Sequence, residues 1–291
     1  MLRQKHTNTV IGKELGFHRT TISREVKRNS ENRIYKVCLA DKKDRVRRRN
    51  SKIKQRIIEN NLELKRKLRQ YLKKDWSPEQ IAGTFGLTSH MTIYRYIDRF
   101  PEMKKYLRRQ GKKRRKYGTK ANLSRYQANK RSIHERPPFD YKIGHWEGDT
   151  IVGKERTLRI ATDVDRVSGY LLANLTFAKA DDIHSRARRI FRRKPCRTIT
   201  YDNGSEFALH KMIEQDTGAS VYFADPGKPQ QRGANENANG LLRQYFPKGS
   251  SFATITDKDV QRAVSRLNNR PRKRLDYLTP RQVFESVRFK S

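Results

Sequence analysis

Apolar residues recur at helical spacing in two short segments of the N-terminal third, residues 11–26 and 81–97. The two segments align with a one-residue gap, and in each a glycine, Gly16 or Gly86, separates two apolar stripes. A helix-start signal precedes the later segment, because Ser77 followed by Pro78 is typical of a helix N-terminus. Two short helices joined by a Gly-containing turn are typical of a helix-turn-helix unit. The pattern therefore predicts two such units in an all-α N-terminal region.

The pattern changes near residue 140, where short runs rich in β-branched and aromatic residues replace the helical stripes. Strands are predicted at 143–152, 158–164, 170–177, 197–201 and 221–223, and helices near 182–193, 206–217, 235–245 and 257–268. Three consecutive strands followed by strands separated by helices favour an α/β domain with a mixed sheet. Between the two halves, apolar residues at near-helical spacing over 52–72 predict a packing stripe within the helical region.

These changes divide the chain into four predicted parts. They are a first helix-turn-helix unit (1–50), a second helical helix-turn-helix unit (51–103), a basic linker (104–138) and an α/β domain with a C-terminal helix (139–291). The linker is predicted from its basic run and from the Gly118 and Pro137-Pro138 signals.

The charge points to a polyanionic partner. Among 291 residues there are 68 Lys and Arg against 30 Asp and Glu, a net charge of +38, so nucleic acid is the first expectation. Mean hydropathy is −1.01, and no apolar run approaches the roughly 20 residues needed to span a bilayer. The first residues lack the apolar stretch of a signal peptide, and Cys38 and Cys196 lie far apart. A reducing compartment is expected.

Most of the net charge, +27, falls within residues 1–130. In a helix-turn-helix unit the second helix lies in the major groove and its early polar residues reach base edges. An ordinary helical hairpin would explain one such unit equally well, but two copies on the most basic part of the chain favour DNA reading. The candidate DNA-contacting residues are His18, Arg19, Thr20, Ser23 and Arg24 in the first unit and His90, Thr92, Tyr94 and Arg95 in the second.

Three carboxylates occupy unusual places in the C-terminal half. Asp149 lies inside a predicted strand, where Asp is disfavoured, Asp202 follows a strand, and Glu236 begins a predicted helix. Each alone has a simple structural explanation, because Asp202-Asn-Gly is a common turn and Glu favours a helix N-terminus. Period-two alternation places Glu147 on the same face as Asp149, so spacing does not choose between them. Asp163 and Asp165 fit strand-end and turn chemistry before Ser168-Gly169.

Together, the three carboxylates fit a metal site. Their mutual repulsion would be costly without a cation, and oxygen-only ligands suit Mg²⁺ or Mn²⁺. Two such ions can clamp the attacking and leaving oxygens of a phosphoryl displacement. On the predicted helix, Asn239 and Arg243 lie three and seven residues after Glu236, hence on its face. We expect them to touch DNA near the reacting phosphate, although Arg243 also fits a solvated surface charge.

Several long motifs resemble one family. They are Trp146-Glu-Gly-Asp-Thr150, Thr200-Tyr-Asp-Asn-Gly-Ser-Glu-Phe207, the run from Asn235 to Gly249, Arg19-Thr-Thr-Ile-Ser-Arg-Glu25, Trp76-Ser-Pro-Glu-Gln-Ile81, Thr92-Ile-Tyr94 and Leu267-Asn-Asn-Arg-Pro-Arg-Lys-Arg-Leu275. These resemble the bacterial insertion-sequence transposases of the IS-thirty family, within the DDE integrase-core superfamily. The 33 residues between Asp202 and Glu236 match that family's second interval. The resemblance covers nearly the whole chain.

The resemblance implies an RNase H-like, integrase-type catalytic core in which Asp149, Asp202 and Glu236 are the catalytic and metal-binding triad, with two Mg²⁺ or Mn²⁺ ions per site. The resemblance also implies that Asp149, and not Glu147, belongs to this triad. The implied activity is metal-dependent cleavage at the ends of the element, followed by attack of the freed 3′-OH on target DNA. The N-terminal region would recognise the terminal inverted repeats of double-stranded DNA, and a homo-oligomer would form on it. No covalent protein–DNA intermediate and no membrane partner are expected.

Two other functions compete with this one. A DNA-binding repressor, or a decayed copy without catalysis, would bind DNA without joining it. A retroviral-type integrase has a similar Asp-Asn-Gly segment, but it would carry an N-terminal zinc module built on paired His and Cys. Cys38 is the one cysteine in the N-terminal half, which argues against that class.

Overall fold

The computed structural model of the chain describes residues 6–32, 34–51, 56–108 and 129–288. It divides into two compact units, Met1–Lys65 and Arg66–Ser291. None of the helices in the described ranges combines the length and apolar character that crossing a bilayer requires. Of the predicted basic linker (104–138), residues 109–128 lie outside the described part of the chain.

The first unit contains helices α1 (Asn8–Leu15), α2 (Arg19–Asn29), α3 (Val37–Ser51) and α4 (Ile57–Asn60). α1 ends at Gly16, whose φ of 72° is the left-handed conformation that glycine adopts without strain. Ile11 of α1 and Ile22 of α2 are buried. The first predicted helix pair is therefore present, with its turn at the expected glycine.

α5 (Leu62–Lys73) crosses the boundary between the units, and α6 (Pro78–Phe85) and α7 (His90–Arg99) follow it. Ser77 caps α6 in a capping box with Gln80, and Gly86 ends α6 with a φ of 63°. The sequence pattern thus located the second helix pair and both of its caps. In the predicted stripe over 52–72, the helix is interrupted at Asn61, whose side chain accepts a hydrogen bond from the Leu64 amide; residues 52–55 lie outside the described part.

The C-terminal part is built on one five-stranded sheet. Its strands are β1 (His145–Val152), β2 (Leu158–Asp165), β3 (Leu171–Phe177), β4 (Thr198–Tyr201) and β5 (Ser220–Phe223). The spatial order is β3-β2-β1-β4-β5. β1, β2 and β3 pair antiparallel, whereas β4 pairs parallel with both β1 and β5. The predicted mixed sheet is confirmed.

Helices cover both faces of this sheet. They are α8 (Ala180–Phe191), α9 (His210–Thr217), α10 (Gly233–Leu242), α11 (Asp257–Asn268) and α12 (Pro280–Arg288). Because strand side chains alternate between faces, Trp146, Ile199 and Tyr201 belong to a core with α8, α9 and α12. Ile151 and Ile160 belong to a second core with α10 and α11. This arrangement confirms the expected RNase H-like core beside a helical N-terminal region.

The second helix-turn-helix unit packs on this core. Asp75, just before α6, accepts hydrogen bonds from the Tyr245 hydroxyl (2.9 Å) and from Arg266 on α11 (2.8 Å). Lys273 pairs with Glu79 of α6 at 2.8 Å. The ring of Tyr277 lies against Gly83, where a Cβ would overlap it. These contacts place α6, α7 and the sheet in one compact unit.

Candidate active site

Asp149 and Asp202 lie on the same face of two neighbouring strands. β1 and β4 are parallel, with His145 opposite Thr198 and Glu147 opposite Thr200. Two residues further along each strand, the same alternation brings Asp149 next to Asp202. Both carboxylates are partly open to solvent, with side-chain exposures of 24% and 39%. The two predicted aspartates therefore meet at the carboxyl end of adjacent strands.

A single guanidinium bridges the two carboxylates. Arg232 Nη1 lies 3.5 Å from Asp149 Oδ2, and Arg232 Nη2 lies 3.5 Å from Asp202 Oδ2. Arg232 also donates to the Gly148 carbonyl at 3.0 Å. Burial raises the pKa of Asp149, and the Arg232 cation opposes that rise while the Asp202 charge adds to it. The pair of aspartates thus has a cation between them.

Helix α10 is fixed to this face of the sheet by two asparagines one turn apart. Asn239 donates to Asp149 Oδ2 at 2.9 Å, and the Thr162 hydroxyl lies 3.0 Å from the Asn239 side-chain oxygen. The buried Asn235 donates its backbone N–H to Glu147 (3.0 Å) and its side-chain N–H to the Glu147 carbonyl (2.7 Å). These contacts determine where the remaining side chains of α10 point.

Glu236 occupies the exposed flank of α10, between those two asparagines. Within the described ranges, no three His, Cys, Asp or Glu side chains converge closely enough to hold a metal ion. The structure therefore brings Asp149 and Asp202 together and leaves the Glu236 carboxylate on the adjacent helix, facing solvent.

Glu147 shares the face of Asp149 but has a different environment. It is 4% exposed, accepts from the Asn235 amide and pairs with Arg166 at 3.3 Å. Burial raises the pKa of Glu147, against the effect of the Asn235 hydrogen bond and of Arg166. The Asp149 oxygens also accept hydrogen bonds, from Asn239 and from the Thr150 backbone N–H, but Asp149 is more open to solvent than Glu147 and lies beside Asp202.

The donors present fit a hard divalent cation. Asp149 and Asp202 offer carboxylate oxygens on one face, which is the chemistry that Mg²⁺ and Mn²⁺ prefer. The guanidinium between them shows that this carboxylate pair favours positive charge at that position. Glu236, one turn before the asparagine that holds Asp149, is the nearest additional carboxylate on α10.

Several residues that sequence analysis missed support the same region. Lys130 is 7% exposed, donates to the Asn203 carbonyl at 3.3 Å and lies 4.5 Å above the Phe223 ring. Burial lowers the pKa of Lys130, while the nearby Asp202 and Glu206 charges raise it. Glu206 pairs with Arg159 and accepts from the Thr150 hydroxyl at 2.9 Å. None of these residues stands out in the sequence, because each reaches the region through the fold.

The predicted DNA-contacting residues of the first unit lie at the start of α2. His18 is the N-cap and accepts from the Thr20 backbone N–H, and its ring nitrogen lies 2.9 Å from the Thr20 hydroxyl. Arg19, Ser23 and Arg24 are exposed, as are His18 and Thr20. All five side chains are therefore at the surface.

In the second unit the candidates lie along α7. Ser89 caps this helix and accepts from the Thr92 backbone N–H at 3.2 Å. His90, Tyr94 and Arg95 are exposed, whereas Thr92 is half-buried and its hydroxyl lies 2.9 Å from that of Ser89. Thr92 therefore also serves the helix cap.

Arg243 and the two remaining aspartates have structural partners. Arg243 follows α10 and donates to the Val152 carbonyl at 3.1 Å, and burial lowers its pKa. Asp165 accepts from the Ser168 backbone N–H (2.7 Å) and hydroxyl (2.6 Å), which confirms its predicted turn role. Asp163 differs from that expectation, because it is buried within β2 and pairs with the buried Arg186 of α8.

No protein-family model matches the chain. The chain is 36% identical over 304 residues to "Transposase for insertion sequence element IS4351" of Bacteroides fragilis. The aligned region covers 99% of this chain and 92% of that protein. It is 34% identical over 311 residues to "Transposase InsI for insertion sequence element IS30A" of Escherichia coli, covering 98% and 80%. A solved structure, the catalytic core domain of BIV integrase, has a TM-score of 0.42 at 18% identity and covers 50% of this chain and 96% of that one.

Proposed function

Because this chain belongs to the IS30 (IS-thirty) family of insertion-sequence transposases, we propose that it binds the terminal inverted repeats of its own element. We further propose that it cleaves the DNA there and transfers the freed 3′-OH to target DNA in a metal-dependent reaction. The proposed setting is the bacterial cytoplasm, where the nucleoid supplies the DNA. The proposed acting form is a homo-oligomer that holds two element ends.

One observation carries the proposed chemistry. Asp149 and Asp202 lie side by side on adjacent strands, partly open to solvent, with a cation between them. Phosphodiester cleavage and transfer need a cation where charge develops on the phosphate and on the leaving oxygen. A binding protein without catalysis has no need for two adjacent, partly exposed carboxylates on the central strands of its sheet.

Asp149, Asp202 and Glu236 are the proposed ligands of two Mg²⁺ or Mn²⁺ ions. The ions, when bound, would activate the attacking oxygen and stabilise the leaving oxygen. Asn239 orients Asp149 through its 2.9 Å hydrogen bond. Arg232 and Lys130 supply positive charge near the carboxylates, where a phosphodiester group would lie. The nucleophile is water or the 3′-OH, so the protein contributes position and electrostatics.

The two helix-turn-helix units are the proposed readers of the element ends. The exposed residues at the starts of α2 and α7 support this role, since base contacts in such units come from the beginning of the second helix. His18, Arg19, Thr20, Ser23 and Arg24, with His90, Thr92, Tyr94 and Arg95, stay the candidate contacts. Asn239 and Arg243 stay candidates near the reacting phosphate, although each already holds a protein group.

The test is a joining assay with the full chain, labelled DNA carrying the element's ends, and Mg²⁺ or Mn²⁺. We expect joined product from the unaltered protein and at least about a thousandfold less from Asp202→Asn, since a lost catalytic group costs several kcal/mol of transition-state stabilisation. Asp181→Asn is the matched control, because Asp181 is an exposed acidic residue in the first turn of α8.

The DNA-binding affinity of each protein is measured alongside. Retarded DNA with no joined product from the unaltered protein would contradict the proposal and favour the repressor or decayed-copy alternative. Equal joining by Asp202→Asn would contradict the assignment of the carboxylates.

A further inference from the structure

A cavity lies on the side of α10 that faces away from Asn239 and the aspartate pair. It has a volume of about 320 Å³. Its walls come from the end of β2, the turn before β3, the first half of α10, and the segment that follows α11. Three arginines line it, Arg166, Arg272 and Arg274, and we call it the arginine pocket. Arg272 and Arg274 belong to a sequence motif that the proposed chemistry leaves without a role.

Every charged side chain that lines the arginine pocket, among the described residues, is cationic. Two carboxylates outside the lining act on these cations. Glu147 holds the Asn235 amide and pairs with Arg166, and the buried Asp165, which holds the amides of Gly144 and Ser168, acts on Arg274 through its charge. The positive charge of the arginine pocket is therefore offset at Arg166 and partly at Arg274, and it is strongest around Arg272.

The positive charge around Arg272 is unfavourable in the free protein. Burial, together with the positive charges of Arg270, Arg274 and Arg108, lowers the pKa of Arg272 to about 10. Arg270, at 3% exposure, cannot move into solvent without disrupting its hydrogen bond to the Tyr245 hydroxyl. An anion in the arginine pocket would relieve this repulsion.

The donors suit a phosphate group. A guanidinium carries five N–H donors in a planar fork that matches phosphate oxygens. In the described part of the chain, Arg272 uses one donor on the Leu267 carbonyl (3.3 Å) and Arg274 uses one on the Val167 carbonyl (2.9 Å). These bonds anchor the side chains at their places and leave further N–H groups available. The exposed amide of Asn237 adds a neutral donor at the rim.

We propose that the arginine pocket binds a backbone phosphate of the DNA strand that reacts at Asp149 and Asp202. This inference rests on the proposed function for the identity of the DNA. A helix with its side chains is about 10–12 Å across, so the phosphate in the arginine pocket is a few nucleotides from the reacting one. It fixes the direction in which the strand crosses α10.

The experiment couples a protein change to a DNA change. The full chain is bound, without divalent metal, to element-end duplexes in which one phosphate at a time is replaced by a neutral methylphosphonate, over about six positions on each side of the cleavage site. With the unaltered protein we expect one or two positions to weaken binding about five- to tenfold. With the double variant Arg272→Gln/Arg274→Gln the same replacements should have no effect, and all other positions should behave as before.

Matched variants distinguish a phosphate contact in the arginine pocket from a general loss of positive charge or of stability. Arg193→Gln removes one exposed charge after α8, and its methylphosphonate profile should equal that of the unaltered protein. The single variant Arg274→Gln, at an exposed residue, keeps the test valid if the double variant unfolds at lower temperature. The pair Arg272→Lys/Arg274→Lys should retain the sensitive positions at reduced strength, because lysine keeps the charge but not the fork.

A profile that neither glutamine variant alters would overturn the pocket assignment, even if the unaltered protein joins DNA. If the unaltered protein binds element ends but joins nothing, the proposed chemistry fails while a coupled position still supports the pocket. The two failures are therefore distinguishable.

Discussion

Two carboxylates lie on one face of β1, and their surroundings distinguish their roles where sequence spacing does not. Glu147 and Asp149 are two positions apart, so alternation places them on the same side. Glu147 is buried against α10 and Arg166, and its oxygens accept hydrogen bonds within the protein. Asp149 lies nearer the end of the strand, beside Asp202 and partly in solvent. The first arrangement stabilises the fold, and the second suits a ligand.

Changing Glu147 to Gln should therefore affect stability more than chemistry. Loss of the ion pair with Arg166 and of a charged acceptor for the Asn235 amide should lower the free energy of unfolding by about 1–3 kcal/mol. Denaturant titration measures this change, and joined product below the melting transition should stay within a few-fold of the unaltered protein. A joining defect as large as that of Asp149→Asn, in a folded variant, would show that Glu147 is a ligand.

The position of Arg232 predicts that this residue lowers the affinity of the site for a divalent metal ion. Its guanidinium lies 3.5 Å from each aspartate, so an incoming divalent ion must compete with it for the same oxygens. Replacing Arg232 with Gln should tighten Mn²⁺ binding by about fivefold, which corresponds to the roughly 1 kcal/mol expected of a partly exposed charge contact. Calorimetric titration with Mn²⁺ measures this without any reaction. Unchanged or weaker binding by the variant would show that Arg232 does not compete with the ion.

At the scale of elements, one hydroxyl lies at the centre of the contact between the segment before α6 and the core around the sheet, beside the Arg266–Asp75 pair. Tyr245 donates to Asp75 at 2.9 Å and accepts from Arg270 at 2.9 Å. Burial and the hydrogen bond to Asp75, against the effect of the Arg270 charge, raise the pKa of Tyr245 to about 12. The neutral phenol is therefore favoured in the folded protein.

This shift has a defined pH window. A tyrosine that titrates near 10 when unfolded and at about 12 when folded contributes its full stability below pH 10 and loses it as the pH rises to 12. Tyr245→Phe should cost about 1–2 kcal/mol at pH 8. The difference between the two proteins should shrink between pH 10 and 12, as measured by denaturant titration at each pH. A difference independent of pH would contradict the hydrogen-bonding role.

The elements were mostly predictable because their signals are local. All five strands and both helix-turn-helix pairs follow from periodicity, glycine and caps. The helix expected over 206–217 is instead a 3-10 turn (Ser205–Phe207) and the shorter α9. There, Glu206 turns back to Thr150 and Arg159 on the sheet, a tertiary contact that no local pattern reports. α12 was missed although Thr279 and Gln282 form a reciprocal cap at its start.

The candidate site was predictable only in part, for the same reason. Asp149 stands out because a carboxylate is unusual inside a strand, Asp202 stands out through the family motif, and the register then brings them together. Arg232 and Lys130 reach the site through the fold, since neither position is unusual within its own segment. Whether Glu236 joins the aspartates stays a prediction, because its exposed carboxylate depends on what binds there.

At the scale of the whole molecule, the distribution of charge does not follow the division into compact units. The net charge of +38 is concentrated in residues 1–130, which suits long-range attraction of DNA. The second helix pair nevertheless belongs to the compact unit that contains the sheet. The proposed recognition helix α7 and the proposed catalytic carboxylates are thus parts of one body, joined through Asp75 and Glu79.

That attachment fixes the distance between α7 and the aspartate pair within the second compact unit. The number of base pairs between the sequence read by α7 and the phosphate cut at Asp149 and Asp202 should be constant. In element ends lengthened by one to five base pairs between these points, cleavage should move with the recognised sequence, by the length of the insertion. Mapping the cleaved 3′ ends on such substrates measures the displacement, and cleavage that stays at the original end of the element would show that the spacing is not set by the protein.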